Sequence, residues 1–270
     1  MKWVIDTSGR FGWRPYYNPE ELDNECEQIV SAFLLSKYGS IRFPVSTDDL
    51  TVLVERDTSD LDLYADLSGG SDDIEGATDF FPDRKPEVKI AKELSLESSK
   101  YFRLRTTLAH EYGHVRFHNF LWDSVPLQKP ASDIVRKLSS QRQAIARLRQ
   151  KLNPEQARVG VDSKQGGVLG LVNSRKTFSC PRGFIIQAPV SDWMEWQASY
   201  AGGAILMPLS VIHSKVRESI PISDRNKLIP IDSSHARELT NRIADVFNVS
   251  VEAAQVRLQK LGIIHQANKS

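Results

Sequence analysis

The alternation of apolar and polar residues divides the chain into stretches of different character. Residues 18 to 38 place Leu22, Cys26, Ile29, Val30, Phe33 and Leu34 on one stripe, behind Asn18 as a cap and Pro19 at the first helical position, which predicts an amphipathic helix. From Ile41 to Ile90 the pattern turns into short β-prone runs, IRFPV, LTVLVE, LDLYADL, GATDFF and PEVKIA, separated by Asp, Ser, Gly and Pro. A small antiparallel sheet is expected there. A second helix is predicted from about Ser99 to Phe120. A third, from about Ser132 to Leu152, stripes Ile134, Leu138, Ile145, Leu148 and Leu152 along one face. Another begins near Ser191 or Asp192, with Asp192 and Glu195 spaced as a capping box, and Pro208 forbids its extension. Residues 233 to 262 read as two helical segments joined by Asn248, Val249 and Ser250, with Ser250 as cap and Gly262 as terminator, in the outline of a helix-turn-helix.

These elements predict an α+β fold in which a small antiparallel sheet packs on helices. Residues 1–120 would hold the first helix, the sheet and the second helix, and residues 191–218 would complete that domain. Residues 121–190, with a Pro-rich turn, the third helix and an aperiodic Gly, Ser and Lys segment, read as an insertion. Residues 219–270 would form a carboxy-terminal helical subdomain.

Composition narrows the class. With 270 residues, 40% hydrophobic and 26% charged, the chain can bury a full core. Two cysteines, Cys26 and Cys180, are too few and too widely spaced for a disulfide framework, so a reducing compartment is expected. The opening MKWVIDTSGRFGWRPYYNPEE lacks the apolar core of an export signal, and no apolar run approaches the roughly 20 residues a bilayer requires. A cytoplasmic protein with no membrane partner is the expectation. The net charge of +1 hides an asymmetry, since residues 46–98 hold fifteen acidic against five basic side chains, a balance of −10. The helix over 132–152, by contrast, has six Arg or Lys and no acidic residue between Ile134 and Asn153.

The chemistry lies in His110-Glu111-Tyr112-Gly113-His114, inside the second helix. Residues four apart share a helix face, so both imidazoles can aim at one ion, and Glu111 can take a proton from a water that zinc has acidified. His118 continues the series. Eight residues of helix nevertheless rise about 12 Å, too far for His110 and His118 to share an ion, so His118 is expected to pack or to orient a ligand. A third ligand must come from elsewhere, and Asp192 and Glu195 are the best placed, ahead of His213, Asp232, His235 and Cys180.

In the order FPVSTDDL, RTTLAHEYGH, DWMEWQASYAGGAILMP and FNVSVEAAQVRLQKLG, the chain resembles the ImmA/IrrE family of bacterial and phage metallopeptidases over most of its length. The resemblance implies a zincin-like core and a zinc ion held by His110, His114 and a Glu from the pattern Glu-x-x-Ala-Asn followed by Leu-Met-Pro. That Glu is Glu195 here, with Ala198 and Leu206-Met207-Pro208. Ser199 stands where the family has Asn, and Ala201 where an aromatic is common. Glu111 would be the catalytic base. The family's members cleave helix-turn-helix repressors, which implies a protein substrate of that kind and derepression of mobile-element or stress-response genes. Their link between the two metal-bearing helices is shorter, so residues 121–190 depart from the pattern and would gate the cleft, choose the substrate or bind a signal.

A competing reading is a DNA-binding regulator with a structural zinc site. Gln255, Arg257, Gln259 and Lys260 would then face a major groove. The apolar Val249, Ala253, Ala254, Val256, Leu258 and Leu261 favour a packing subdomain instead, so DNA binding is not the preferred expectation. A thiolate from Cys180 capping the zinc in a resting state is a further alternative.

Overall fold

The computed structural model describes residues 1–69, 73–122, 176–219 and 229–266. The basic helix expected over 132–152 lies outside them. Among the described residues, 1–80, 84–121 and those from Lys176 onward belong to one compact unit, a mixed α and β structure.

It opens with an antiparallel hairpin of β1 (Lys2–Ile5) and β2 (Trp13–Tyr16). Sequence pattern places no element before Asn18, because strands this short display no period. The turn is held by Asp6, whose carboxylate accepts from Ser8 N, Ser8 Oγ and Phe11 N. Helix α1 (Pro19–Tyr38) starts with a reciprocal capping box, Glu21 N donating to Asn18 at 2.8 Å and Asn18 N to Glu21 at 3.0 Å. Gly39, at φ 69°, closes its other end.

Residues 47–57, which include the run LTVLVE, form helix α2 (Thr47–Asp57) and not a strand. The Ser46 hydroxyl accepts from Asp49 N at 3.0 Å. Leu50, Leu53 and Val54 are buried at helical spacing, so cap and stripe outweigh the strand preference of the β-branched residues. The run IRFPV is not a strand either, and its Phe43–Pro44 peptide is cis.

The other three runs are strands: β3 (Asp60–Ala65), β4 (Ile74–Phe80) and β5 (Glu87–Ala91). With β6 (Lys176–Pro181) they form one sheet in the order β3-β5-β4-β6. β4 runs antiparallel to both neighbours, but β3 and β5 are parallel, so the sheet is mixed and not antiparallel throughout. The short β4–β5 connection dictates antiparallel pairing. β5 then lies in the interior with Val88 and Ile90 buried, and its other edge takes β3 in the parallel sense. Residues 176–187 thus belong to this unit, although the sequence sets them within the insertion.

The short α3 (Lys92–Leu96) and a 3-10 turn at Ser98–Lys100 lead into α4 (Tyr101–His118). α5 (Arg182–Ile186) follows β6 and leads to α6 (Trp193–Leu206) and α7 (Leu209–Ser219). α4 and α6 are buried over most of their circumference, as central helices are. They cross closely through small residues. A Cβ on Gly113 would come within 3.0 Å of Ala198 Cα, and one on Gly202 within 3.1 Å of His110 N. Larger side chains there would force the helices apart and separate whatever they hold between them.

The carboxy-terminal pair is α8 (Ser234–Phe247) and α9 (Val251–Lys260), with Ser233 and Ser250 as caps and Asn248 in the left-handed conformation between them. It is flanked by the parallel pair β7 (Ile229–Pro230) and β8 (Ile264–His265). Fully buried Arg105 of α4 ties it down, donating to Asn248 O at 2.9 Å and to Val45 O at 2.8 Å. Two of the four side chains expected to read DNA are turned inward. Arg257 donates to Asp23 and, at 3.3 Å, to Met207 O. Lys260 Nζ donates to Ile186 O and Ser199 Oγ, both at 3.0 Å. Gln255 and Gln259 are partly exposed. Among the described residues, no helix is long and apolar enough to cross a membrane.

Candidate metal centre

The α4–α6 crossing brings together the residues that sequence reasoning singled out. His110 Nε2 lies 3.1 Å from His114 Nε2 and 3.2 Å from Glu195 Oε2, and His114 Nε2 lies 3.4 Å from Glu195 Oε1. All three residues are buried, and together they form a group that could hold a metal ion. Of the other candidate third ligands, Cys180 lies 3.1 Å from His110 Nε2, and the rest stand elsewhere or have other tasks. Asp192 caps α6, accepting from Glu195 N, and receives both guanidinium nitrogens of Arg10 at 2.9 and 2.7 Å. Only half of the expected capping box forms, because the Glu195 side chain turns to the histidines instead of back to the helix start. His213, Asp232 and His235 are exposed.

Hydrogen bonding determines which imidazole nitrogens face the centre. His110 Nδ1 lies 3.3 Å from Ile185 O, so Nδ1 carries the proton and Nε2 presents a lone pair. His114 reaches the same state through a longer relay. Gln197 Nε2 donates to Pro15 O at 3.2 Å, which turns Gln197 Oε1 towards His118 Nε2, 3.1 Å away. His118 therefore donates from Nε2 and accepts at Nδ1 from His114 Nδ1, 3.0 Å away, and His114 Nε2 is left as a lone pair. The relay has one consistent polarity from the β2 backbone to the centre. Burial, and then the nearby imidazole of His114, drive His118 well below its ordinary range, so it stays neutral, as the relay requires.

Two lone pairs 3.1 Å apart, with a carboxylate beside both, repel unless a cation lies between them. The titration behaviour says the same. Burial resists ionisation of Glu195, yet once the imidazoles take up a proton, the charge on His114 and hydrogen bonding to both rings hold it below the usual carboxylate range. Burial likewise opposes charging of His114, yet Glu195 raises it above its ordinary value. The pocket favours positive charge. A proton satisfies one pair of these atoms, whereas a divalent ion satisfies all three. In a tetrahedral zinc site with bonds of about 2.0–2.1 Å, ligand atoms sit about 3.3 Å apart, close to the 3.1 Å between the imidazole nitrogens and to the 3.2 and 3.4 Å at which Glu195 approaches them through its two separate oxygens.

Glu111 approaches from the residue next to His110. Its Oε2 accepts from Thr78 Oγ1 at 2.6 Å, while its buried Oε1 has no hydrogen-bond partner among the described residues. Burial, opposed in part by the two histidines, raises its pKa above its ordinary value. Gly76 on β4 makes the room, because a Cβ there would overlap Glu111 Oε1. Tyr112, Tyr200 and His118, hydrogen-bond donors near the motifs in sequence that could stabilise an oxyanion, are all engaged elsewhere. Tyr112 donates to Asp57 at 2.7 Å, Tyr200 donates to Asp23 at 2.8 Å, and His118 belongs to the relay.

Ser199 donates to Ile186 O at 2.7 Å, next to the carbonyl that orients His110. Ala201 lies against the α4 crossing, where a Cβ on Gly113 would come within 3.3 Å of it. Sequence reasoning missed the contributions of Thr78, Gly76, Gln197 and the Ile185 carbonyl. A glycine in the strand run GATDFF was the one signal of close approach. Comparison with protein-family models and with curated protein sequences finds no match to the chain, so the site is understood from its own residues and their geometry.

Proposed function

We propose that the protein is a zinc-dependent endopeptidase acting on a protein substrate, with His110, His114 and Glu195 as metal ligands and Glu111 as general base. The observation that carries this reading is the convergence of two imidazole lone pairs and an ionised carboxylate at tetrahedral spacing, with an unpartnered buried carboxylate oxygen on the adjacent residue. Nitrogen donors argue against magnesium or calcium, which prefer all-oxygen sites. The ImmA/IrrE resemblance and the zincin-like core it implies point the same way. They make a helix-turn-helix repressor the expected substrate, and gene regulation in the cytoplasm the expected setting.

A zinc ion at this centre would acidify water and polarise a peptide carbonyl. The chain's own groups do the rest. Thr78 anchors Glu111 through Oε2, which leaves Oε1 to take the proton of the attacking water and pass it to the departing amine nitrogen. The raised pKa of Glu111 makes it a stronger base than a solvated carboxylate. The relay ending at Pro15 keeps the His114 lone pair aimed while charge changes around it.

The alternative, a DNA-binding regulator with structural zinc, draws support from the nearness of Cys180 to the ligands. It gives Glu111 no task, and a buried unpartnered carboxylate oxygen is costly to keep without one. Purified protein incubated with helix-turn-helix repressors from the same genome tests the choice, with cleavage read by mass spectrometry. Glu111→Gln should bind zinc stoichiometrically and lose at least about a hundredfold in cleavage, while His114→Ala should lose both. A Glu111→Gln protein that cleaves at the native rate would refute the mechanism.

A further inference from the structure

Cys180 does not belong to the ligand set above, yet its thiol lies inside it. Sγ is 3.1 Å from His110 Nε2 and 3.3 Å from Glu195 Oε2, and the side chain is 1% exposed. His110, a Glu111 oxygen and Cys180 also lie close enough together to share one ion. The backbone holds the thiol there firmly. β6 pairs with β4 so that Cys180 stands opposite Gly76, the residue that makes room for Glu111, and the register shifts between Ile74 and Gly76. The unpartnered Oε1 of Glu111 faces the same Gly76.

We infer that Cys180 is a fourth protein ligand of the metal, and that the arrangement described is the closed, resting state of the site. A tetrahedral zinc has four positions, and a hydrolytic site needs one of them free. For bonds of about 2.3 Å to sulfur and 2.0–2.1 Å to nitrogen or oxygen, the expected edge is about 3.6 Å. The observed 3.1 and 3.3 Å are a few tenths shorter, a difference that a small side-chain rotation supplies. As the metal–sulfur bond forms, the S–H bond breaks and its proton passes to solvent buffer. Opening reverses both steps. β6 is an edge strand of the sheet and can peel from β4 without unpairing any other strand, carrying Cys180 away from the centre. Activity then depends on an event that detaches β6, such as binding of the protein substrate along the vacated edge of β4.

This inference rests on the metal-centre reading, and cobalt(II) substitution of the full chain separates the two. The native protein loaded with one cobalt should show tetrahedral visible bands and a near-ultraviolet thiolate-to-cobalt charge-transfer band. Cys180→Ser should keep the visible bands, lose the charge-transfer band, bind zinc at least about tenfold more weakly and cleave substrate several-fold faster without an activating partner. Native protein with visible bands but no charge-transfer band overturns the Cys180 assignment and leaves the three-ligand centre intact. Failure to bind cobalt stoichiometrically overturns both. The native spectrum decides even if Cys180→Ser does not fold.

Discussion

Two buried polar clusters lie on opposite sides of helix α6, and they resolve their charges in opposite ways. Between α6, α1 and α9, Arg257 meets Asp23, Tyr200 donates to the same carboxylate, and the guanidinium lies 5.2 Å from the Tyr200 ring centroid. Donor faces acceptor, and cation faces anion. Between α6 and α4, the Nε2 atoms of His110 and His114 face each other and Glu195, acceptor against acceptor. The first cluster matches its charges within the chain and works as a structural tie, although Arg257 Nη1 is buried without a hydrogen-bond partner among the described residues. The second is complete only with a cation added. Burial is nearly the same in both, so burial does not mark a functional site; the sign of what faces what does.

The comparison breaks most visibly at Arg257. Replacing it by Met leaves Asp23 buried without its counter-charge, and losing one partner of a buried pair costs about 3–5 kcal/mol. Chemical denaturation should show that loss, while zinc affinity of the folded fraction stays unchanged. Pairing Arg257→Met with Asp23→Leu should recover much of the stability, because an apolar pair of similar bulk avoids the unmatched charge. If Arg257→Met also weakened zinc binding more than tenfold, the two clusters would not be independent and the contrast between them would fail.

The second cluster is sharpened at His118, which touches no ligand position yet governs the His114 tautomer. His118→Phe keeps the ring volume and removes the acceptor for His114 Nδ1. Losing such an orienting partner costs about 10- to 100-fold in metal affinity, measurable by competition with a chromophoric chelator. Thermal stability without metal should change less. His118→Gln offers a side-chain acceptor again and should restore part of the affinity. An unchanged affinity in His118→Phe would show that the relay from Pro15 does not orient His114.

What was legible in the chain divides along the same line. Local rules found α1, α4, α6 and the α8–α9 pair, because caps such as Asn18, Ser233 and Ser250 and the stop at Pro208 act over a few residues. His110, Glu111 and His114 are legible because helical spacing alone joins them. Local propensity failed at LTVLVE, where a strand-like string became α2 once its cap and apolar stripe were satisfied. Glu195 was one of several carboxylates by spacing, and resemblance singled it out. Its convergence with His110 and His114 depends on the Gly113–Ala198 and Gly202–His110 contacts, which join distant parts of the chain. The same holds for Gln197 with Pro15 and for Cys180 with Gly76, pairings that no local pattern announces.

The smallest expected effect tests how far the structural side reaches towards the metal side. Lys260 belongs to α9, but its ammonium donates to Ile186 O and Ser199 Oγ, beside the Ile185 carbonyl that orients His110. Burial, with the nearby Arg257 charge, lowers its pKa to about 8, against about 10.4 in the unfolded chain. The folded state therefore holds fewer protons than the unfolded one above pH 8, and stability contributed at this position rises with pH from there towards 10.4. Between pH 7 and pH 9 the gain is about 1 kcal/mol. Lys260→Met keeps the aliphatic stem and removes the titration. Cysteine and tyrosine ionisations are common to both proteins, so the difference in their unfolding free energies isolates the lysine. The native protein should gain on the variant by about that amount over this range, and a difference independent of pH would mean that the ammonium is as well solvated folded as unfolded.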